Sequence, residues 1–284
     1  MNVPLYQHME LKDKEYQLLA DLIYKKSGIS LGDNKKELVR TRFQKLIRQL
    51  GLKSFKEYYE YVVNDKSGSE LVRMIDAIST NHTFFFREKD HFDFFSSQGL
   101  PDIVKKKAAA GNRKIRIWCA AASSGEEPYT IIICILEAMD TYGWDIKMLA
   151  TDISTKVLAK AVEGRYRSNQ LKEMSPLLIS KYFDREDVAG EKLYRVKPEL
   201  KSFITYRRFN LMRPQFPFKG KFDFIFCRNV MIYFDPPTQQ NLVQKLLNFL
   251  DMGGYLFIGH SETLTGAVKN RVRTVGPALF QKVA

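Results

Sequence analysis

Three stretches of this chain carry side chains whose types and spacing could do chemistry. The first is Ala120-Ala121-Ala122-Ser123-Ser124-Gly125-Glu126-Glu127-Pro128-Tyr129. Its small residues and glycine let a backbone pass close to a bound molecule, and its proline suits a first helical turn. Neither GxGxxG nor GxxxxGK[ST] is present, and Glu126 and Glu127 would repel a pyrophosphate, so the loop suits a ligand with a positive end. As first-turn acids, both would equally favour the helix dipole. The second stretch is Thr151-Asp152-Ile153-Ser154, where Asp152 can accept hydrogen bonds from a ribose diol or cap the next helix. The third, Cys227-Arg228-Asn229, puts two polar residues directly after a buried run, which is costly unless they face a site or solvent. An acidic strand end, a small-residue loop and no phosphate cradle together suggest S-adenosylmethionine, which has an adenosine, a sulfonium cation and no phosphates.

These stretches need strand ends to carry them, and the pattern supplies them. From residue 115 apolar runs alternate with helical ones: Ile115 to Cys119, Lys147 to Thr151, Phe222 to Cys227 and Tyr255 to Ile258, with helices Glu127 to Met139, Lys156 to Val162 and Thr238 to Leu250. Such alternation implies a parallel sheet with helices on both faces, and ligands then bind beyond the strands' carboxyl ends. Asp235-Pro236-Pro237 reads as a helix start, and Arg271 to Val275 with Ala278 to Val283 as a hairpin closing the sheet edge. Residues 190–209 break the alternation as a basic, β-rich antiparallel insertion turning at Lys197-Pro198-Glu199-Leu200-Lys201.

Residues 1–80 read as a small helical bundle. Leu11 to Lys26 places Leu18, Leu19, Leu22 and Ile23 on one face and stops at Gly28. Lys35 to Leu50 follows, and Ser54 and Ser69 cap two further helices. The helix Lys35 to Leu50 carries Lys35, Lys36, Arg40, Arg42, Lys45 and Arg48 against one acid, Glu37. That is either a solvated face or a docking surface for an acidic partner.

The 284 residues carry 45 basic and 32 acidic side chains, a net +13 that favours an acidic partner without choosing between nucleic acid, membrane and protein. No apolar run approaches the roughly 18 residues of a membrane span, and Met1 to Glu15 has no apolar core of a secretory signal. Cys119, Cys134 and Cys227 lack CxxC spacing and read as reduced core thiols of a cytoplasmic protein. The four histidines have no metal-ligand spacing, so no metal is expected.

Asn81-His82-Thr83-Phe84-Phe85-Phe86-Arg87, the Ala121 to Thr130 loop, Ala150-Thr151-Asp152-Ile153 and Phe226 to Phe234, in this order, closely resemble the CheR-type chemotaxis receptor methyltransferases. The resemblance covers nearly the whole chain. It implies a Rossmann-like S-adenosylmethionine-dependent methyltransferase domain, residues 81–284, bearing the small antiparallel β insertion and preceded by the all-α domain of residues 1–80. The implied activity is esterification of glutamate side chains on cytoplasmic helices of methyl-accepting chemoreceptors, with S-adenosylhomocysteine as product. Carried over by motif, Asn81, Thr83, Arg87, Glu127, Asp152, Asn210, Leu211, Arg228 and Asn229 would bind the cofactor. Arg87 and Tyr233 would sit nearest the transferring methyl and be catalytic. The family's β-subdomain grips a receptor tether in some members; here the turn taken from the sequence is short and lacks glycine. No nucleic acid or membrane insertion is expected, and the chain reads as a monomer. A nucleic-acid methyltransferase and a non-catalytic cofactor-sensing adapter are the competing readings. The first lacks an Asn-Pro-Pro-Tyr-type strand end, and the second would not need residues around the methyl.

Overall fold

The structure, a computed structural model, describes residues 9–79, 81–188 and 190–284. The absent signal read from the N-terminus falls largely outside these residues. The chain divides into two compact units, residues 1–80 and 81–284.

In the first unit four helices, α1 (Asp13–Ser27), α2 (Lys36–Gln49), α3 (Phe55–Asn64) and α4 (Ser69–Ile78), bury Leu19, Ile23, Val39, Phe43, Ile47, Tyr58 and Met74 in one core. α1 ends where Gly28 turns left-handed at φ 75°, a conformation in which glycine carries no Cβ penalty. The Ser54 side chain caps α3 through the Glu57 N–H. Two sequence expectations shift. Leu18 is exposed and Tyr16 and Ala20 are buried instead, so the apolar stripe of α1 is rotated from the expected face. The N-cap of α4 is Gly68, not Ser69; the Asp65 carboxylate accepts from the Ser67 hydroxyl above all, then from the Glu70 and Ser67 N–H groups, and these bonds hold its pKa down at about 2.

In the second unit α5 (Lys89–Phe94) runs through a π-helical turn, Phe95–Gly99, into α6 (Leu100–Ala109). Then come β1 (Lys114–Ala120), α7 (Glu126–Ala138), β2 (Asp145–Asp152), α8 (Thr155–Glu163), β3 (Arg165–Arg167), α9 (Pro176–Tyr182), β4 (Phe183–Val188), β5 (Glu191–Val196), α10 (Pro198–Ser202) and β6 (Ile204–Arg208). β7 (Phe222–Cys227), α11 (Pro236–Phe249), β8 (Leu250–Ile258), β9 (Val272–Gly276) and β10 (Leu279–Lys282) complete it. The seven-stranded sheet runs β6-β2-β1-β7-β8-β10-β9, with β6, β2, β1, β7 and β8 parallel and the β9–β10 hairpin antiparallel at the edge. Period-two alternation sorts the strands onto two cores. Ile115, Ile117 and Cys119 of β1 pack with α7, whereas Trp118 and Ala120 pack with α11. Each fully buried aliphatic side chain contributes roughly 1.5–3 kcal/mol. The three cysteines are buried and free.

The insertion is where the sequence expectation of residues 190–209 needs correction. The small antiparallel sheet is β3-β5-β4, spanning residues 165–196, and β6 pairs in parallel with β2 from Met148↔Ile204 to Asp152↔Arg208. Both segments are β-branched and basic, so composition alone could not tell an insertion strand from a main-sheet edge strand. Residues 198–202 form α10 and not the hairpin turn, which instead lies between Val188 and Glu191 and contains Gly190 at φ 82°. The turn is therefore not glycine-free.

Candidate active site

The chain winds outward from β1 to β2 and β6, then returns to lay β7 on the other side of β1. A crevice opens beyond the carboxyl ends of strands where the winding reverses in this way. Three segments meet there, and their backbones are unusual. Among the described residues six non-glycine residues have positive φ, and Phe86, Glu88, Ala121, Ser123 and Asn229 are five of them, all in these segments. Such conformations persist only where surroundings over-determine them, and they concentrate at ligand sites.

The β1–α7 loop is shaped by what it passes. Ala121 and Ala122 both donate their N–H to the Thr151 carbonyl at 2.8 Å, bending the chain over the end of β2. Gly125, at φ 99°, is obligatory, because a Cβ there would meet the Tyr166 hydroxyl at 2.7 Å and the Ala161 backbone at 3.0 Å. The two carboxylates at the head of α7 then part company. Glu126 is fully buried and accepts from the Ser124 hydroxyl (2.8 Å) and the Gln170 amide (2.9 Å), with burial raising its pKa. It is a structural acid. Glu127 faces the crevice, where it accepts from Arg228 Nη1 at 2.7 Å and from the Cys119 thiol at 3.2 Å. Asp152 is not a helix cap. Its two oxygens take the Ser123 and Ser154 N–H groups, each at 2.9 Å, tying the β1 and β2 loops together while Ser154 caps α8. Asn210 and Leu211 reach the same strand end because the Phe209 N–H donates to the Asp152 carbonyl at 2.9 Å.

On the other side of the crevice the Arg228 side chain is wholly buried between two carboxylates, Nη1 on Glu127 and Nη2 on Glu88 at 2.9 Å. Nη2 also donates to the Arg87 carbonyl, and the guanidinium lies 5.1 Å from the Phe92 ring centre. Asn229 Nδ2 donates to Glu88 Oε1 at 3.0 Å. Burial pushes the Glu88 pKa up, but the Asn229 and Arg228 partners outweigh it and the net shift is downward. Glu88 is thus a site residue that sequence reasoning passed over; its only signal was an acid directly following Arg87. The segment before it is pinned by Phe85, edge-on to Tyr166 and Phe183 at 4.9 and 5.5 Å, and by the Phe86 N–H on Thr130.

The fold therefore joins Glu127, Arg228, Asn229 and the Arg87 backbone in one array, and Asp152, Asn210 and Leu211 in a second, linked through the β1 loop. The Arg87 guanidinium donates to the His82 carbonyl at 2.8 Å, closing residues 82–87 into a loop. Asn81 and Thr83 ride on that segment, and among the described residues their side chains join none of these bonds. Half-buried Tyr233 sits on the helical turn Met231–Tyr233 just beyond Asn229.

This arrangement fits a cationic nucleoside. Two carboxylates, Glu88 and Glu127, flank one buried guanidinium, and Asp152 adds a third acid at the neighbouring strand end, leaving net negative charge for a sulfonium to balance. Of the eight buried side-chain polar atoms without a hydrogen-bond partner among the described residues, two, Ser123 Oγ and Arg228 Nε, lie in these segments, where a ligand can engage them. His91 and His260, remote in sequence, also converge on Glu88, with rings 4.6 Å apart and ligating atoms within 4.8 Å. Glu88 is already held by Arg228 and Asn229, His260 by Asp90 at 3.0 Å, and the adjacent guanidinium opposes a second cation.

Comparison with known proteins agrees with this geometry. Residues 81–278 match the family described as CheR methyltransferase, SAM binding domain, and residues 14–79 match CheR methyltransferase, all-alpha domain. The chain is 40% identical to a chemotaxis protein methyltransferase of Borreliella burgdorferi over 97% of its own length and 96% of the relative's. It is 42% identical to a probable chemotaxis protein methyltransferase of Rhizobium etli, covering 92% of this chain and 96% of that one. The chemotaxis protein methyltransferase of Escherichia coli is 37% identical, with 91% and 87% covered. A small-residue loop over the end of β2, carboxylates paired around a buried arginine and a full-length family match leave one assignment: the chain belongs to the CheR methyltransferases, S-adenosylmethionine-dependent enzymes that methylate protein glutamates in chemotaxis.

Proposed function

We propose that the acceptors are glutamates on the cytoplasmic helices of chemoreceptors, and that the strand-end residues divide the work as follows. Glu127, Arg228 and Asn229 hold the amino-acid half of S-adenosylmethionine, and Asp152, Asn210 and Leu211 hold the adenosine half, with Asn81, Thr83 and Arg87 contributing from the segment before α5. When bound, S-adenosylmethionine supplies a methyl on a sulfonium, which a carboxylate oxygen takes as the ester bond forms and the thioether departs. The acceptor is already ionised near neutral pH, so the chain needs no general base. Arg87 and Tyr233 orient the incoming carboxylate, and the negative array beneath balances the cation. Positioning and water exclusion supply the rate.

The observation that carries this reading is the Glu88–Arg228–Glu127 array, in which two carboxylates flank one wholly buried guanidinium at the crevice beyond the strand ends. The basic helix α2 supports an acidic substrate helix, although part of its charge has local uses. Arg42 donates to the Ala77 and Ser79 carbonyls at the end of α4, Arg40 pairs with Glu37, and Lys36 with Asp13. Lys35, just before α2, and Lys45 form no ion pair among the described residues and are left to steer. Among the described residues no helix is long and apolar enough to cross a membrane, so membrane-bound receptors would be met from the aqueous side.

The test is transfer of labelled methyl from S-adenosylmethionine to receptor-containing membranes, followed by mild alkali. Label released as volatile methanol is expected. Alkali-stable label would reject the glutamate ester.

A further inference from the structure

Beyond β8 the chain turns through Gly259-His260-Ser261-Glu262, and the Glu262 side chain doubles back under the β7 loop. It is 6% exposed, yet no side-chain cation pairs with it among the described residues. Its partners are backbone N–H groups. Oε2 accepts from Gly259 at 2.6 Å and Asn229 at 3.0 Å; Oε1 accepts from Met231 at 2.7 Å and Ile232 at 3.3 Å. Three of those four donors belong to the loop that carries Arg228, Asn229 and Tyr233. The carbonyls of the same turn are held from the opposite side, Met231 and Phe234 both accepting from Gln239 Nε2 at 2.9 Å. Gly259 closes the arrangement, since a Cβ there would lie 2.9 Å from Asn229 N and 2.4 Å from Asn229 Nδ2.

We propose that Glu262 is a positioning residue of the methyltransferase site, an internal anion that fixes the backbone of the Asn229–Tyr233 turn and so aims Asn229 at the cofactor and Tyr233 at the acceptor. The physical reason is specific. Asn229 lies past the end of β7 at φ 56°, and its part-buried N–H finds its acceptor in Glu262. A buried N–H must find an acceptor. A carboxylate with two oxygens can take four donors, whereas an amide of the same shape offers one acceptor oxygen and brings two competing hydrogens. Glu262→Gln therefore orphans two backbone donors without changing volume, and the loop must shift to repair them.

The inference rests on the reading that this loop forms the cofactor site, and the experiment separates the two. Binding of S-adenosylhomocysteine is measured by calorimetry, and kcat and KM for S-adenosylmethionine are measured on the whole enzyme well below each variant's melting temperature. Glu262→Gln should weaken binding about tenfold or more and lower kcat as well, because misplacement of the order of an ångström has such effects. The control is Asp223→Asn, a buried carboxylate at the opposite end of the same sheet. It accepts from the Arg116 N–H and pairs with Lys107, so its loss destabilises the unit without touching the loop. Its product affinity should stay within roughly twofold of the parent. If Glu262→Gln does not fold, Glu262→Asp, which keeps the charge but shortens its reach to the loop's N–H groups, is read the same way. Unchanged affinity and turnover in Glu262→Gln or its substitute, or an equal loss in Asp223→Asn, would overturn the proposal. Asn229→Ala reports on the underlying reading: if it binds the product normally, the assignment of the loop fails first.

Discussion

The two units of this protein handle polar groups in opposite ways. Among the described residues of the helical unit, Ser27 is the one buried polar side chain apart from the tyrosines, and its hydroxyl is satisfied by the Ile23 carbonyl one turn back. The α/β unit buries eleven, and Glu126, Thr151, Asp152, Ser154, Arg228 and Glu262 all lie at the carboxyl ends of β1, β2, β7 and β8 or in the loops that follow. Burying an ion costs several kcal/mol unless partners and hydrogen bonds compensate. Among the described residues of the helical unit the most covered paired acid is Glu70, which Arg73 neutralises from the same helix, so no covered paired acid there is held by a distant partner as Glu88 is. In the α/β unit Glu126, Asp152, Arg228 and Glu262 gather beyond the carboxyl ends of the strands, where the proposed site lies, while Asp223 and Lys282 are buried elsewhere and held by Lys107 and by backbone carbonyls.

The strongest way to break this contrast is Arg228→Met. With the guanidinium gone, Glu88 and Glu127 remain as largely covered, uncompensated like charges, and the α/β unit should lose about 3 kcal/mol or more together with product binding. Denaturant unfolding and calorimetry check this; normal binding would remove Arg228 from the site. Next in size is acid sensitivity. Burial, and then Arg228, depress the His91 pKa to about 4 from 6.5, so its neutral form is the folded one. Stability from this group is complete above pH 6.5 and is lost as pH falls towards 4, about 3 kcal/mol in all. The lowered pKa of Glu88 acts in the same direction. Urea midpoints from pH 7 to 4.5 should fall steeply, and less so in His91→Gln.

A smaller effect sharpens the division between the paired acids of α7. Glu127→Gln should cost about 1.4 kcal/mol, or tenfold, in affinity for S-adenosylhomocysteine, with little change in melting temperature. A melting loss without an affinity loss would make Glu127 structural like Glu126. The smallest effects belong to the helical unit. Arg42→Ala, which removes two bonds to carbonyls, should cost about 1 kcal/mol of stability. Lys45→Ala should change stability by less than about 0.5 kcal/mol. It should nevertheless slow receptor methylation at low salt, an effect that added salt erases. Equal rates for the Lys45 variant and the parent at low ionic strength would leave α2 without a steering role.

Some of this was legible residue by residue. Gly28 and Ser54 mark helix ends through their own backbone and side-chain chemistry, and Asp235 caps α11 through the Thr238 N–H at 2.9 Å as its Asp-Pro-Pro sequence suggests. The alternation of Ile115, Ile117 and Cys119 with Trp118 and Ala120 announces a strand covered on both faces. The loop from Ala120 to Glu127 disclosed a ligand without phosphates. What misled were signals that two structures share. Ile204 to Arg208 reads as β-rich and basic whether it ends an insertion or edges the main sheet, and only pairing with β2 distinguishes them.

Local chemistry, then, determined the strands and helices, the helix ends and the nature of the ligand loop, because each depends on residues within a turn or two of one another. The tertiary structure alone decided which of two adjacent acids would meet Arg228, 101 residues away, and that Glu88 would complete its neutralisation across 140 residues. It alone set Glu262 beneath the loop of Asn229, 33 residues before it. A buried charge is satisfied by whatever the winding of the sheet brings within 3 Å, and no spacing along the chain encodes that.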